Sequence, residues 1–163
     1  MPVPKRWEPL SLDRIDRRIL DLLQSDNRIS NLALAERVGL SPPACSRRVA
    51  RLRETGVIAR DVSLVDPQKV GKSLAAIITV VLETRRKEQL EGFSRRMRAL
   101  EPVKQCYMIA GAVDFILVVL LDDMAAYSGF ASESLASDPD IKGYETWFVL
   151  AQVKNDDRIR LEG

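Results

Sequence analysis

Residues 30–58 read SNLALAERVGLSPPACSRRVARLRETGVI, two helical runs around a tight Gly39-Leu40 turn, the second rich in arginine. That is the outline of a helix-turn-helix DNA reader. Such a reading helix must hide one side in its own domain and offer the other to a negatively charged groove. Residues 41–55 divide that way. At about 100° per residue, with Cys45 at zero, Val49 falls at about 40° and Leu52 at about 340°, which makes one narrow apolar stripe. Arg47 at about 200°, Arg51 at about 240° and Glu54 at about 180° point away from it. Ser41 is read as the N-cap and Pro42 as the first helical residue, where a missing N–H costs nothing. The free N–H groups near Ser41 favour a phosphate, while Pro43, Ala44 and Arg47 are placed to approach base edges. Arg48, on the flank, suits a backbone phosphate. By itself the pattern serves equally well as the solvated face of an amphipathic helix.

The surroundings favour the DNA reading. Ser11-Leu12-Asp13 opens a helix in which Ile15, Ile19, Leu22 and Leu23 share one face, and Ser25-Asp26-Asn27 breaks it. Ser30 caps a second helix whose Leu34, Ala35 and Val38 pack on the first, and Gly39 supplies the left-handed backbone that a sharp turn needs. After Gly56, residues 57–65 become extended in character, as a wing or a connecting strand would. Three helices and a strand fit a winged helix-turn-helix. Charge agrees: the net charge of +2 is too small to imply a polyanion partner, but residues 1–60 carry +5 and residues 61–163 carry −3. A basic module beside an acidic one is the footprint of a chain that docks on phosphates with one part only.

The length suits two small domains: a winged helix-turn-helix over residues 1–60, a hinge strand or linker over 61–72, and a second domain over 73–163. Domains of this size gain from oligomerisation. No stretch of 18 or more uncharged apolar residues occurs, and the opening MPVPKRWEPLS has no apolar signal core, so the expected location is the cytoplasm, away from any membrane. Cys45 and Cys106 are isolated among core-type residues and read as small buried hydrophobes rather than a disulfide or metal site.

In the second half, residues 73–82 form a β-rich run and 86–100 a helix with Leu90, Phe93, Met97 and Leu100 on one side. Strands 103–109 and 115–121 follow, joined by a hairpin turn over 110–114. A helix over 124–135 comes next, and then a strand over 141–153 with Thr146, Phe148 and Leu150 on one face and Trp147 and Val149 on the other. The order βαββαβ is the ferredoxin-like arrangement, so the chain as a whole is α+β. A four-stranded sheet covered by helices on one side leaves an apolar face to be buried against a second copy.

The segments LDRIDRRILDLLQSDNRIS, LALAERVGLS, RRVARLRETGVI, VDPQKVGKSLAAIITV, PVKQCYMIAGAVDFILVV and ETWFVLAQVK, in this order and spacing, together resemble the Lrp/AsnC, or feast/famine, family of transcriptional regulators over residues 12–153. The resemblance implies double-stranded DNA as one partner and a small amino-acid effector, bound between dimers, as another. It also implies homodimers that assemble into tetramers or octamers. No cofactor and no metal are expected. In the family the effector site surrounds a loop with a pattern like TGxxD, here Gly111 and Asp114. Gly111 lets the backbone approach a ligand and Asp114 is placed to accept its ammonium group, with Met108 and Ile109 beside its side chain. Gly and Asp are also ordinary hairpin residues. Ala110 stands where the family has Thr, which removes a hydroxyl contact. Thr146 is a candidate contact from a neighbouring dimer, or an ordinary strand residue. An enzyme is not expected: the chain has no histidine, no cysteine paired with a base, no glycine-rich phosphate loop and no metal-ligand spacing. An effector-independent architectural DNA-binding protein is the alternative.

Overall fold

The computed structural model describes residues 11–161, and residues 1–10 of the opening stretch read above for a signal core lie outside this range. The chain divides into two units. Among the described residues, one comprises residues 65–153, and the other comprises residues 11–64 together with 154–161.

The first unit is built on α1 (Arg14–Ser25), α2 (Asn31–Val38) and α3 (Pro42–Glu54). Asp13 caps α1 in a reciprocal box: Asp16 N–H donates to Asp13 Oδ1 at 2.8 Å, and Asp13 N–H donates to Asp16 Oδ2 at 3.3 Å. Two of the donors that every helix start leaves orphaned are thereby satisfied. Ser30 caps α2 through its hydroxyl, and Gly39 ends it at φ +71°, a conformation that only glycine adopts without strain. Ile19, Leu20, Leu34, Ala35, Cys45, Val49 and Leu52 make the core. The Cys45, Val49 and Leu52 stripe is therefore the buried side of α3.

Two features of this unit differ from expectation. Residues 57–65 pair into no strand. Past Gly56, at φ +75°, Ile58 N–H folds back to Leu52 O, and Arg53 holds Asp61 at 2.9 Å. Among the described residues this unit contains no other strand for the run to pair with, and a strand needs a partner to satisfy its N–H and C=O groups. The second difference is the tail. Residues 154–161, assigned from sequence to the second domain, belong to the first unit. Gln24 donates to Ile159 O and accepts from Ile159 N–H at 2.9 and 2.7 Å, Arg17 donates to Leu161 O at 3.1 Å, and Leu161 packs on the helical core.

The second unit contains β1 (Leu74–Leu82), α4 (Lys87–Ala99), β2 (Val103–Met108), β3 (Phe115–Leu121), α5 (Met124–Ala131) continued by a π-helical turn (Ser132–Ala136), and β4 (Ile141–Phe148). All neighbouring strands are antiparallel, in the order β2-β3-β1-β4. This is the ferredoxin-like order. Alternation sends Ile78, Val80, Leu82, Phe115, Leu117 and Val119 into a core with Phe93 and Met97 of α4 and Phe130 of the fifth helix. Full burial of each such side chain contributes roughly 1.5–3 kcal/mol. Arg96 lies 5.9 Å over the Phe93 ring and pairs with Asp138 and Asp140, fastening α4 to the chain that enters β4. The final strand stops at Phe148, and Leu150 beyond it is 99% exposed. Thr146 and Phe148 meet Tyr127 on the helix side, while Trp147 faces the other way beside Ile77.

Cys106 is exposed, contrary to expectation, and both cysteines are free. It pairs with Leu117 and so shares the helix-facing side, but β2 is an edge strand and the groove between it and α4 stays open. Among the described residues no helix is long and apolar enough to cross a membrane.

Candidate functional site: a DNA-facing helix and an effector loop

The turn between α2 and α3 is fixed from both sides. Leu40 N–H reaches back to Ala35 O, and Asn31 Nδ2 donates across to Pro42 O at 2.9 Å. Ser41 occupies the N-cap with extended backbone, but its hydroxyl makes no capping bond. Pro42 follows at the first helical position, and the early N–H groups of α3 remain without a side-chain acceptor. Pro43 is exposed and Ala44 half-buried at this end.

The four arginines of α3 do not behave alike. Arg53 pairs with Asp61. Arg48 gives one nitrogen to Asp13 at 2.6 Å and to Asp16 at 2.8 Å, and Arg51 donates to the second oxygen of Asp16 at 2.5 Å. Asp16 itself is 1% exposed. Arg47 is exposed and, alone of the four, has no carboxylate partner among the described residues. Sequence reading placed Arg51 on the outward face with Arg47. Its backbone position is there, yet the long side chain bends back to α1. The hydrogen bonds from Asp16 N–H and from Arg48 hold the Asp13 carboxyl below its ordinary value of 3.8, and the same carboxylates raise Arg48 further. Asp16 was missed from sequence. Its signal was an acidic residue three places after another at a helix start, which reads only as a cap.

In the second unit the loop after β2 is closed by Ile109 N–H donating to Asp114 O at 3.0 Å. Asp114 is 4% exposed and fully engaged. Its Oδ2 accepts from Leu82 N–H at 2.9 Å, its Oδ1 forms an ion pair with Arg85 Nε at 2.7 Å, and its N–H donates to Val80 O at 2.9 Å. Arg85 also donates to Gly111 O at 3.2 Å, so one guanidinium clasps both ends of the loop. No local pattern linked Arg85 to Asp114 in the sequence. Gly111 has no positive φ, and a Cβ there would meet nothing within 4 Å. Met108 is exposed and Ile109 half-buried. With Arg85, Arg98, Cys106 and Phe115, Met108 lines a groove of about 530 Å³ between β2 and α4. Thr146 is not brought to this loop within one chain. It lies on the opposite edge strand, three inter-strand spacings or about 14 Å away across the sheet, and accepts from Tyr127 Oη at 2.8 Å.

A helix-turn-helix with an exposed arginine on its second helix, carried by a chain that also folds a βαββαβ unit, defines a two-domain DNA-binding regulator. The comparisons with known proteins agree. Residues 12–59 match the winged helix-turn-helix DNA-binding family, and residues 75–159 match the Lrp/AsnC ligand binding domain. An HTH-type transcriptional regulator of Sinorhizobium fredii is 41% identical over 89% of this chain and 86% of its own length. The leucine-responsive regulatory protein of Escherichia coli K12 is 36% identical over 91% of this chain and 90% of its own. A transcriptional regulator of Neisseria meningitidis solved with L-Met superimposes with a TM-score of 0.86 at 32% identity, covering 91% of this chain and 96% of that one. An AsnC family regulator of Agrobacterium tumefaciens gives 0.85 at 34% identity, with the same coverage. The chain belongs to the Lrp/AsnC family of transcriptional regulators. The relatives named here are regulators of transcription, not enzymes.

Proposed function

We propose that this chain is a cytoplasmic, sequence-specific regulator whose affinity for DNA responds to a small amino acid. Two copies present α3 to successive major grooves about one helical turn apart. Arg47, with Pro43 and Ala44, meets base edges, while Ser41 and the N–H groups after it, with Arg48 and Arg51, meet the phosphate backbone. One observation carries this reading: on a helix where every other arginine is paired with a carboxylate, Arg47 is exposed and has no carboxylate partner among the described residues. Arg47→Ala is expected to lower the preference for a selected duplex over a shuffled one, measured by gel shift. An unchanged preference refutes the assignment.

The effector reading rests on the loop. A Cβ at Gly111 would meet nothing of the chain itself, which leaves the space beside its backbone open to a group from outside. Asp114, already engaged by Leu82 N–H and Arg85, shapes the loop more than it meets the ligand's ammonium directly. The ligand's carboxylate is instead offered loop N–H groups and the remaining nitrogen of Arg85, with Met108 and Ile109 beside its side chain and Thr146 arriving from another copy. The leucine-responsive relative and the L-Met-bound neighbour support an amino acid as the effector class. Equilibrium binding of all twenty labelled amino acids tests this, and no saturable site for any of them favours an architectural DNA-binding role.

Assembly follows from the bare side of the sheet. Ile77, Ile116, Val118, Tyr107 and Trp147 lie on the side away from the helices, with Ile77, Tyr107 and Trp147 well exposed. An apolar patch of this kind is buried against a copy of itself in a symmetric dimer, and dimers associate further into tetramers or octamers. Trp147→Lys is expected to yield monomers in sedimentation velocity, and dimers of unchanged strength refute that face as the interface.

A further inference from the structure

A carboxylate buried to 1% beneath two arginines of a DNA-facing helix is unusual chemistry for a fold-stabilising role alone. Burying an ion pair seldom stabilises more than an apolar pair of the same size, because desolvation offsets the attraction. Here the carboxylate is also selective about which parts of the arginines it uses. Arg51 gives Asp16 a single terminal nitrogen, and Arg48 gives one terminal nitrogen to Asp13 and Asp16 together. A guanidinium carries five donors in a rigid fork. Among the described residues the remaining donors of each arginine have no partner, and the side chains are 30% and 47% exposed. Two carboxylates and two guanidiniums also cancel, leaving Arg47 as the one arginine of α3 without a carboxylate partner among the described residues.

We infer that Asp16 is a positioning residue for DNA recognition. It fixes Arg48 and Arg51 so that their free edges meet the phosphate backbone as aimed donors in a neutral cluster, not as mobile cations. Contacts of this type set the register of the helix on the duplex, which base-edge contacts depend on. Because the cluster is neutral, it adds little to the counterion release that drives binding to any DNA. Asp16 thus lowers indiscriminate attraction while keeping the geometry that discrimination needs. The inference rests on the assignment of α3 as the DNA-facing helix.

The test uses the full chain, a duplex enriched from a random pool by the wild-type protein, and a shuffled duplex of equal length. Asp16→Asn frees one cation per unit. It is expected to lower the preference for the enriched duplex about tenfold, and to steepen the salt dependence of binding to shuffled DNA by about 0.9 in log–log slope for each DNA-binding unit. A loss of preference with an unchanged slope assigns Asp16 to folding alone and overturns the inference, as does an unchanged preference. The double variant Asp16→Asn, Arg51→Gln keeps the net charge and a hydrogen-bonding pair, and so guards against a folding defect in the single one. It is expected to lose about tenfold in preference with affinity for shuffled DNA within about twofold. Full retention of preference in the double variant overturns the inference. If Arg47→Ala also leaves preference intact, the fault lies with α3 as the reading helix; if only the Asp16 variants do, it lies with the positioning role.

Discussion

Replacing Asp114 with alanine distinguishes a carboxylate that builds the effector loop from one that waits for a ligand. The substitution removes the acceptor of Leu82 N–H, which is then buried without a partner, at a cost of about 1–3 kcal/mol. It also releases Arg85, but that side chain is 61% exposed, so the lost ion pair adds no more than about 1 kcal/mol. Together the loss is about 1–4 kcal/mol, which in a unit of this size lowers the melting temperature by roughly 4–30 °C. Asp114→Asn keeps an oxygen for Leu82 N–H and gives up only the charge, so about 1 kcal/mol is expected. The assay is urea unfolding of the full chain with hydrogen exchange followed in the β1 and β3 peptides, which assigns the loss to the second unit. A destabilisation below about 0.5 kcal/mol for Asp114→Ala, within the range of an ordinary surface change, refutes the structural role, and with loss of ligand binding it returns Asp114 to direct contact.

Gly111→Ala makes the complementary prediction: stability within about 0.5 kcal/mol of wild type, because the added Cβ meets open space, but amino-acid affinity reduced about tenfold in equilibrium dialysis. Asp13, held low by Asp16 N–H and Arg48, contributes stability that is present above the unfolded-state value and is lost as pH falls through the folded one. The first unit should therefore weaken as pH drops below about 4, and Asp13→Asn should flatten that part of the unfolding curve. Leu161→Ala, at a half-buried site, is expected to cost about 1–2 kcal/mol and to speed hydrogen exchange in α1.

Periodicity made much of this molecule readable. Cys45, Val49 and Leu52 recur on one side of a helix, and alternation along β1 and β3 separates a helix-covered face from a bare one. These are signals of period, set by local geometry. What stayed hidden depends on the far ends of long side chains and on distant partners. A helical wheel gives the direction in which Arg51 leaves the backbone, not where its guanidinium stops, and Asp16 lies on another helix. Arg85 and Asp114 meet because β1 and β3 are neighbours, which no pattern near either residue records. Cys106 looked like a core residue in its neighbourhood, and its exposure followed only from β2 being an edge. The end of β4 at Phe148 and the return of Ile159 and Leu161 to α1 are likewise matters of long-range pairing.

That return has a consequence for how the protein is made. Gln24, Arg17 and the helical core receive residues 159–161 from the other side of an entire second unit, so the DNA-binding part is assembled from segments synthesised before and after that unit. At about 5–20 residues per second, the ribosome needs roughly 5–20 s after finishing residue 64 to reach residue 161. Throughout that interval the nascent helices lack Leu161 on their core. A chain broken off before residue 159 never receives these contacts, so its helical unit keeps the Gln24 and Arg17 side chains without the backbone partners that residues 159 and 161 supply.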